Sequence, residues 1–453
     1  MTYRTIVAMM LALRQLRQRE RWSRPQLDAY RAQALHDLRA HAYAHSPFYR
    51  EFHAGLADRP LYELPVLTKA MLQAHSADIV TNRAIRPADV AAHVAQIRGA
   101  ERFLGRYFVT ATSGTTGEPA YLLYNQREWA TMLASFTRYE RHVGSLWGLI
   151  QRPRMAVVAS TTPWHMSARV GATVRSSVLP MLRLDVGAPV EQLVQRLNQW
   201  QPQLLATYAS MAGILADEQQ AGRLQIHPRR IVSTAEVLTP ELRTRVEATW
   251  GQGSLFNQYG ASEGGAYATE CSAHRGLHLF EDLVIFEVVD ETNRPVAPGE
   301  FGAKVLLTVL YNHTQPLIRY ELTDSVRLST QPSCPCGCAF RLIDHIQGRQ
   351  EEVLRFPAAT GGTVAVHPMV FYRILDAAPV AGWQVAHTAD GLCLRLSGDQ
   401  GAVDEPQLVA SVRRALALQN IAPPPITVQW RADVPRGATG KAARIFRLHG
   451  QAA

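Results

Sequence analysis

Hydrophobic positions in residues 1–60 recur at helical spacing. An apolar run, Ile6 to Leu13, precedes Arg14, Arg17, Arg19 and Arg21, which predicts a basic amphipathic helix to about Arg21. From Pro25 to Ala44 the positions Leu27, Tyr30, Leu35 and Leu38 follow one helix face, and Pro47 closes the run. Thr68 reads as a helix N-cap after Leu64-Pro65-Val66-Leu67. Phe108-Val109 and Tyr121-Leu122-Leu123 read as short strands either side of a polar loop. Gln126 to Val143 reads as a helix and Met155 to Ala159 as a buried strand. Helix and strand then alternate: Val190–Trp200 helical, Leu204–Tyr208 extended, Ser210 to near Gly222 helical, Ile231–Ser233 extended, and a helix opening at Thr239-Pro240. This alternation predicts a mostly parallel sheet wrapped by helices. Such sheets bind ligands beyond the carboxyl ends of their strands. Tyr208, Ala235, Glu236 and the segment from Gln258 sit at those ends and are candidate pocket residues. Leu283–Val289 and Lys304–Leu310 alternate as strands of a small β-subdomain. After Val353 the strand, helix and turn signals predict a small α+β domain.

Composition narrows the picture. A chain of 453 residues implies two or three domains, and 47% hydrophobic with 19% charged residues is the balance of a soluble globular protein. The net charge of +9 suits small polyanions, nucleic acid or a membrane surface. No dense Lys/Arg run interleaved with aromatics is present, so a nucleic-acid arm is not expected. No apolar run approaches the roughly 20 residues of a membrane span. The arginines follow the first apolar run rather than precede it, unlike a signal peptide. A cytoplasmic location is the expectation. Of five cysteines, three crowd into Cys334-Pro335-Cys336-Gly337-Cys338, a metal-like cluster rather than a disulfide framework. With Cys271 and His278, Cys334 and Cys336 make a Cys₃His set of the kind that closes around zinc. His274 is an alternative to His278, and Cys338 to either neighbouring cysteine.

The loop between the first two strands carries the most chemistry. Thr112-Ser113-Gly114-Thr115-Thr116-Gly117 is all small, hydroxylated or glycine. Successive backbone N–H groups in such a turn form an anion-binding concavity, and the hydroxyls add rotatable donors. The run is not a Walker loop, which requires a terminal Gly-Lys-Ser/Thr and opens a helix. Four further strings follow in order: Tyr259-Gly260-Ala261-Ser262-Glu263; Arg319-Tyr320-x-Leu322-Thr323-Asp324; Gly348-Arg349-x-Glu351; and Pro435 through Gly440-Lys441 with Arg444. Together they resemble the adenylate-forming superfamily of acyl-CoA ligases, peptide-synthetase adenylation domains and luciferases, most like its phenylacetate–CoA ligase and coenzyme F390 synthetase branch. Family members often carry Lys where this chain has Glu118. They run into an Arg-Gly turn where this chain has Leu354-Arg355-Phe356-Pro357.

The resemblance implies a function. Residues 112–117 would clasp the triphosphate of ATP. Tyr259 would lie near the adenine or the acyl group, and Gly260 would let substrate approach the backbone. Ser262 would meet the α-phosphate and Glu263 would hold Mg²⁺. Asp324 would take both ribose hydroxyls, Arg349 would reach the ribose or α-phosphate, and Lys441 would bridge the acyl carboxylate and the α-phosphate. Trp164 and His165, after the strand at 155–159, would gate the acyl pocket. Some members of the branch hold a structural zinc on similar Cys/His segments. The implied architecture is α/β: a helical extension (1–60), a large domain (61–347), a hinge (348–352) centred on Glu351, and a small mobile C-terminal domain (353–453). The implied reaction activates a carboxylic acid, aromatic by analogy with the branch, to an acyl adenylate and transfers it to the CoA thiol. An amine or a carrier-protein thiol is the alternative acceptor. A nucleotide-sensing protein on a degenerate scaffold is the non-enzymatic one.

Overall fold

The computed structural model describes residues 3–112, 120–138, 153–174, 180–186, 188, 190–331, 333–349, 354–357, 363–366, 369–419, 421–434 and 444–447. The chain opens with three helices, α1 (Tyr3–Arg19), α2 (Arg24–His45) and α3 (Pro47–Phe52). Pro25 in the first turn of α2 starts the helix where a missing N–H costs nothing, and the side chain of Gln26 accepts from the Ser23 N–H at 2.9 Å. Short helices α4 (Lys69–Ala74), α5 (Ser76–Ile79) and α6 (Pro87–Gln96) follow, with Thr68 capping α4 as its sequence position predicts. Strands β1 (Phe108–Ala111) and β2 (Tyr121–Tyr124) pair antiparallel and are followed by α7 (Gln126–Phe136).

Strands and helices then alternate: β3 (Met155–Ala159), α8 (Met166–Val174), β4 (Met181–Asp185), α9 (Val190–Trp200), β5 (Leu204–Tyr208), α10 (Ala209–Gln220), β6 (Arg230–Thr234), α11 (Pro240–Trp250) and β7 (Leu255–Ala261). Strands β8 (Gly265–Glu270), β9 (Leu277–Leu279), β10 (Val284–Val289), β11 (Lys304–Val309), β12 (Tyr320–Leu322), β13 (Asp324–Leu328) and β14 (Leu342–Arg349) complete this part. The main sheet has nine strands in the order β13-β14-β9-β8-β7-β6-β5-β3-β4. From β4 to β7 all pairings are parallel, as the alternation predicts. From β7 to β13 they are antiparallel. The reason is connection length: only residues 262–264 separate β7 from β8, and a parallel return needs a crossover of a dozen residues or more. Strands β10, β11 and β12 form a separate three-stranded sheet, the expected small β-subdomain.

The two faces of the parallel half differ. Ala156, Val158, Leu205 and Ile231 are 0–1% exposed and pack into a core with Leu193, Leu215 and Val246 of α9, α10 and α11. A second core joins α1, α2, the β1–β2 hairpin, α7 and the three-stranded sheet. After β15 (Leu354–Pro357) and β16 (Thr363–Val366), the C-terminal region carries α12 (Met369–Leu375), β17 (Gly382–Thr388), β18 (Gly391–Ser397), α13 (Glu405–Ala417), β19 (Ile426–Trp430) and β20 (Ile445–Arg447). Its four strands run β19-β18-β17-β20 and have a core of their own around Phe371, Trp383 and Leu394.

Candidate active site

Strands β3, β5, β6 and β7 end on one edge of the main sheet, where their last residues line a cavity of about 1350 Å³. Tyr208 closes β5. Its hydroxyl oxygen accepts from the Ser160 N–H at 3.1 Å, and burial raises its pKa. Past the end of β6, Ala235 adopts φ +67°, a left-handed conformation that a Cβ disfavours. That bend aims Glu236 back at the start of α10, where its carboxylate accepts from the Ser210 N–H at 2.8 Å. The other carboxylate oxygen of Glu236, Oε1, is buried without a hydrogen-bond partner. His165 also lines the cavity, with Nδ1 2.7 Å from the Ser160 hydroxyl. Trp164 does not line it among the described residues. It packs beside the Val80, Val90 and Phe103 cluster, and its carbonyl accepts from the Ala111 N–H at 3.0 Å.

The turn between β7 and β8 brings four sequence candidates to the same wall: Tyr259, Gly260, Ser262 and Glu263. A Cβ at Gly260 would lie 2.2 Å from the Gly265 carbonyl oxygen and 2.9 Å from the Ala266 Cα. Close approach of the protein's own β8 therefore demands the glycine, and backbone access for a substrate is not needed to explain it. Tyr124 donates to the Ser262 carbonyl at 2.5 Å and Tyr311 to the Gly264 carbonyl at 3.0 Å, so the turn is held from below by two buried phenols. Glu263 is 8% exposed and lines the cavity. Burial, and next the Glu263 carboxylate, raise the Tyr267 hydroxyl well above its ordinary pKa, which keeps that phenol a neutral neighbour.

Asp324 opens β13 across the cavity from this turn, and the Tyr259 hydroxyl donates to its Oδ2 at 3.0 Å. The two arginines nearest in sequence are engaged elsewhere. Arg319 reaches Glu287 at 3.2 Å and the Leu64 carbonyl, and Arg327 reaches Asp344 at 2.9 Å. Asp324 faces Arg349 as the register partner in β14, so two candidate residues share one rung of the sheet. Thr112 stands where the β1–β2 hairpin opens. Its N–H donates to the Ala120 carbonyl at 2.9 Å, and its hydroxyl accepts from the Ala120 N–H at 3.0 Å. It lines the cavity. Ser113, Gly114, Thr115, Thr116, Gly117, Glu118, Glu351 and Lys441 lie outside the described residues, and Arg349 is described in its backbone alone.

Sequence reasoning did not single out two basic groups of the wall, Arg243 and Arg275. Arg243 donates to Glu270 at 2.6 Å from within a helix that otherwise looks like an ordinary polar face. No spacing links these arginines. Arg444, the last basic residue of the Gly-Lys string, also lines the cavity, and its guanidinium lies 4.6 Å from the Trp383 ring centroid.

A second cluster lies at β9. Cys271, His278, Cys334 and Cys336 each offer one ligand atom, and these atoms lie within 4.8 Å of one another. Cys271 Sγ is 3.6 Å from Cys334 Sγ, and Cys336 Sγ is 3.3 Å from His278 Nε2. Bonds of about 2.3 Å to sulfur and about 2.0 Å to nitrogen place the corners of a zinc tetrahedron roughly 3.5–3.8 Å apart, so the donor set fits that ion. Burial pushes the Cys271 thiol up to about 12 and the His278 imidazole down to about 4. The imidazole is thus held in the neutral form that a metal needs, while the thiol requires a cation to ionise. The alternatives fall away from this set. His274 pairs with Glu270 at 3.5 Å and packs on Phe256, and Cys338 is buried in the core beside Phe340.

Residues 106–305 match the AMP-binding enzyme family. The chain is 28% identical over 295 residues to a phenylacetate–coenzyme A ligase of Thermus thermophilus, covering 62% of this chain and 63% of that protein. It is 30% identical over 266 residues to a phenylacetate–coenzyme A ligase of Escherichia coli, covering 54% and 56%. These alignments span less than two thirds of either relative. Among solved structures, 2-hydroxyisobutyryl-CoA ligase in the postadenylation state in complex with R3-HIB-AMP superposes with a TM-score of 0.72 at 19% identity, over 95% of this chain and 91% of that one. That likeness speaks to the fold. Among the described residues no helix is long and apolar enough to cross a membrane.

Proposed function

We propose that the chain is an AMP-forming acid–thiol ligase of the adenylate-forming superfamily, on its phenylacetate–coenzyme A ligase branch, as its likeness to those ligases supports. The observation that carries the reading is Asp324 joined to the Tyr259 hydroxyl on the wall of the cavity that Glu263, Ser262 and Thr112 also line. The Asp324 carboxylate has two oxygens, one held by Tyr259, and is the group suited to vicinal ribose hydroxyls. The hydroxyl- and glycine-rich run that begins at Thr112 takes the phosphates. An acid carboxylate oxygen attacks the α-phosphorus of ATP, the bond to the β-phosphate oxygen breaks, and pyrophosphate leaves. The thiol of CoA then attacks the acyl carbonyl, loses its proton and expels AMP. No protein nucleophile is needed; the side chains position and neutralise. Arg349 and Lys441 carry the cationic share, on the α-phosphate and on the carboxylate. Glu263, a buried oxygen donor on the cavity wall, fits Mg²⁺, which when bound neutralises the triphosphate. The small C-terminal domain turns about Glu351 between the two half-reactions. Cys271, His278, Cys334 and Cys336 would hold a structural zinc as a closed set of four ligands.

CoA as acceptor and an aromatic acid as substrate rest on what the relatives are called. An amine or a carrier-protein thiol would consume the same adenylate. Carboxylate-dependent exchange of radiolabelled pyrophosphate into ATP is the test. It is expected in the wild type and reduced about 10²–10³-fold in Lys441→Ala, the usual cost of removing one group that stabilises developing charge. No exchange across aryl, fatty and amino acids would sink the adenylation reading. Product analysis with CoA, then with amines in its absence, separates the acceptors.

A further inference from the structure

We propose that the acid this site activates is elongated and apolar, with a tail that runs from the carboxyl ends of β3 and β5 down the sheet face towards Met155 and Leu204. The proposal rests on the adenylation reading and adds the substrate's shape. Its basis is a difference between the two faces of one set of strands. In β3, Ala156 and Val158 are fully buried, while Met155 and Val157 between them are half-buried. In β5, Leu205 is buried and Leu204 and Ala206 are half-buried; in β6, Ile231 is buried and Val232 half-buried. Alternation puts each set on one face. The strand register sets Val157, Ala206 and Val232 in one row across adjacent strands, with Met155 and Leu204 in the row below. Apolar side chains in the middle of a nine-stranded sheet are normally covered on both faces. These five border the cavity instead.

The opposite wall is apolar too. Phe136 of α7 and Val170 of α8 face the same space. No charged residue of β3, β5 or β6 lines the cavity among the described residues; its charged lining, Glu236, Arg243, Glu263 and Asp324 among it, comes from other segments. Arg183, the β4 member of the Val157 row, is not part of the lining and lies against Gly171 of α8. Where it runs along β3, β5 and β6 the cavity is therefore an apolar shaft, with the acidic groups Glu236 and Glu263 just past the strand ends. From the level of Ala159 to that of Met155 the strand rises about 13 Å, the length of roughly ten carbons in an extended chain. An acid no larger than a single ring would leave the shaft wet against five apolar side chains.

Two sources share this chemistry, a straight-chain fatty acid and an ω-phenylalkanoic acid, and the experiment distinguishes them. Pyrophosphate exchange is measured with both series from short acids to about sixteen carbons. The expected result is that kcat/KM rises about fourfold per added methylene, the usual gain from burying one, and peaks only beyond about ten carbons. Whichever series peaks higher names the tail. Ala206→Phe, which fills the middle row, is expected to move the peak several carbons shorter. Val232→Met, a smaller intrusion, should move it the same way by less and guards against a fold lost to the first change. Exchange that peaks at single-ring or short acids and does not respond to either variant would overturn the proposal and leave the adenylation reading intact. If no acid supports exchange, binding of a fluorescent long-chain acid decides. Binding that Ala206→Phe weakens would keep the shaft and discard adenylation, and no binding would discard both.

Discussion

The polar mouth of the cavity and the sulfur cluster at β9 are each assembled from segments far apart in the chain, yet they end in opposite chemistry. The mouth is lined by hard oxygens, Glu236, Glu263 and Asp324, around a space that stays open. The cluster holds three sulfurs and an imidazole within 4.8 Å, with no room for a substrate between them. Its neighbours are equally closed. Just past β9, Glu281 is fully buried between Arg24, Arg31 and Arg341, at 2.8, 3.4 and 2.9 Å. Asp282, also fully buried, holds Arg138 at 2.6 Å. The first set ties α2 to the segment after β9, and Arg19 of α1, 3.6 Å from Asp282, ties α1 to the same segment. An open set of donors leaves room for a ligand and can act on it; a closed set satisfies itself and can only hold the fold. Damage to the first should therefore lower activity at unchanged stability, and damage to the second the reverse.

The strongest challenge to that division is Arg138→Met. Removing the nearer partner leaves the buried Asp282 charge only Arg19, at 3.6 Å, expected to cost up to about 3–5 kcal/mol of stability. Denaturant unfolding measures it. The pyrophosphate exchange rate of the protein still folded should stay within about threefold. A large loss of exchange at full stability would break the comparison. The converse is Asp324→Ala, which removes the partner of the Tyr259 hydroxyl at the open mouth. Exchange should fall about 10²–10³-fold, with the melting temperature moved by no more than about 2 °C, as for a change outside the core. Next in size is the metal. Chelation, or Cys271→Ser, is expected to lower the melting temperature by about 5 °C or more, the scale of a loss of one to two kcal/mol in a large domain. Metal analysis should show about one equivalent of zinc before treatment and none after. A protein that melts unchanged when stripped would move the cluster out of the structural class.

The same division explains what could be read from the amino-acid order. The strings at 259–263 and 319–324 are local, each within a few residues, so their meeting at one cavity wall was legible; of the string at 112–117 only Thr112 is among the described residues. The β1–β2 hairpin and the parallel half of the sheet were legible from period alone. The closed side was less so. The ligand set Cys271, His278, Cys334 and Cys336 was nameable because sulfur is scarce in this chain, but Arg24 and Glu281 stand 257 residues apart and nothing in either neighbourhood announces the pair. The antiparallel half was missed because the tight β7–β8 turn looked like a binding motif rather than a reversal. Gly260 was assigned to substrate access when its own β8 backbone demands it. The apolar shaft could not be read at all. Val157 and Val158 are the same residue in consecutive positions, and only the coverage of the two faces distinguishes a core side chain from a pocket wall.

The smallest effect concerns acid, and its sign follows from Glu281. Burial pushes that carboxyl up, but Arg341, Arg24 and Arg31 together outweigh burial and hold it below the ordinary value of 4.5. A carboxyl whose pKa is depressed on folding adds stability that is present above the unfolded value and is lost as pH falls through the folded one. The wild type should thus lose stability progressively below about pH 4.5. Glu281→Gln, which cannot titrate, should be less stable at pH 7 and show a flatter decline below pH 4.5, so that the two unfolding curves converge in acid. Chemical denaturation at a series of pH values measures the convergence. Curves that stay parallel from pH 7 to pH 3 would mean that the three arginines gain nothing from the charge, and the closed side would then be held by its packing and its sulfur alone.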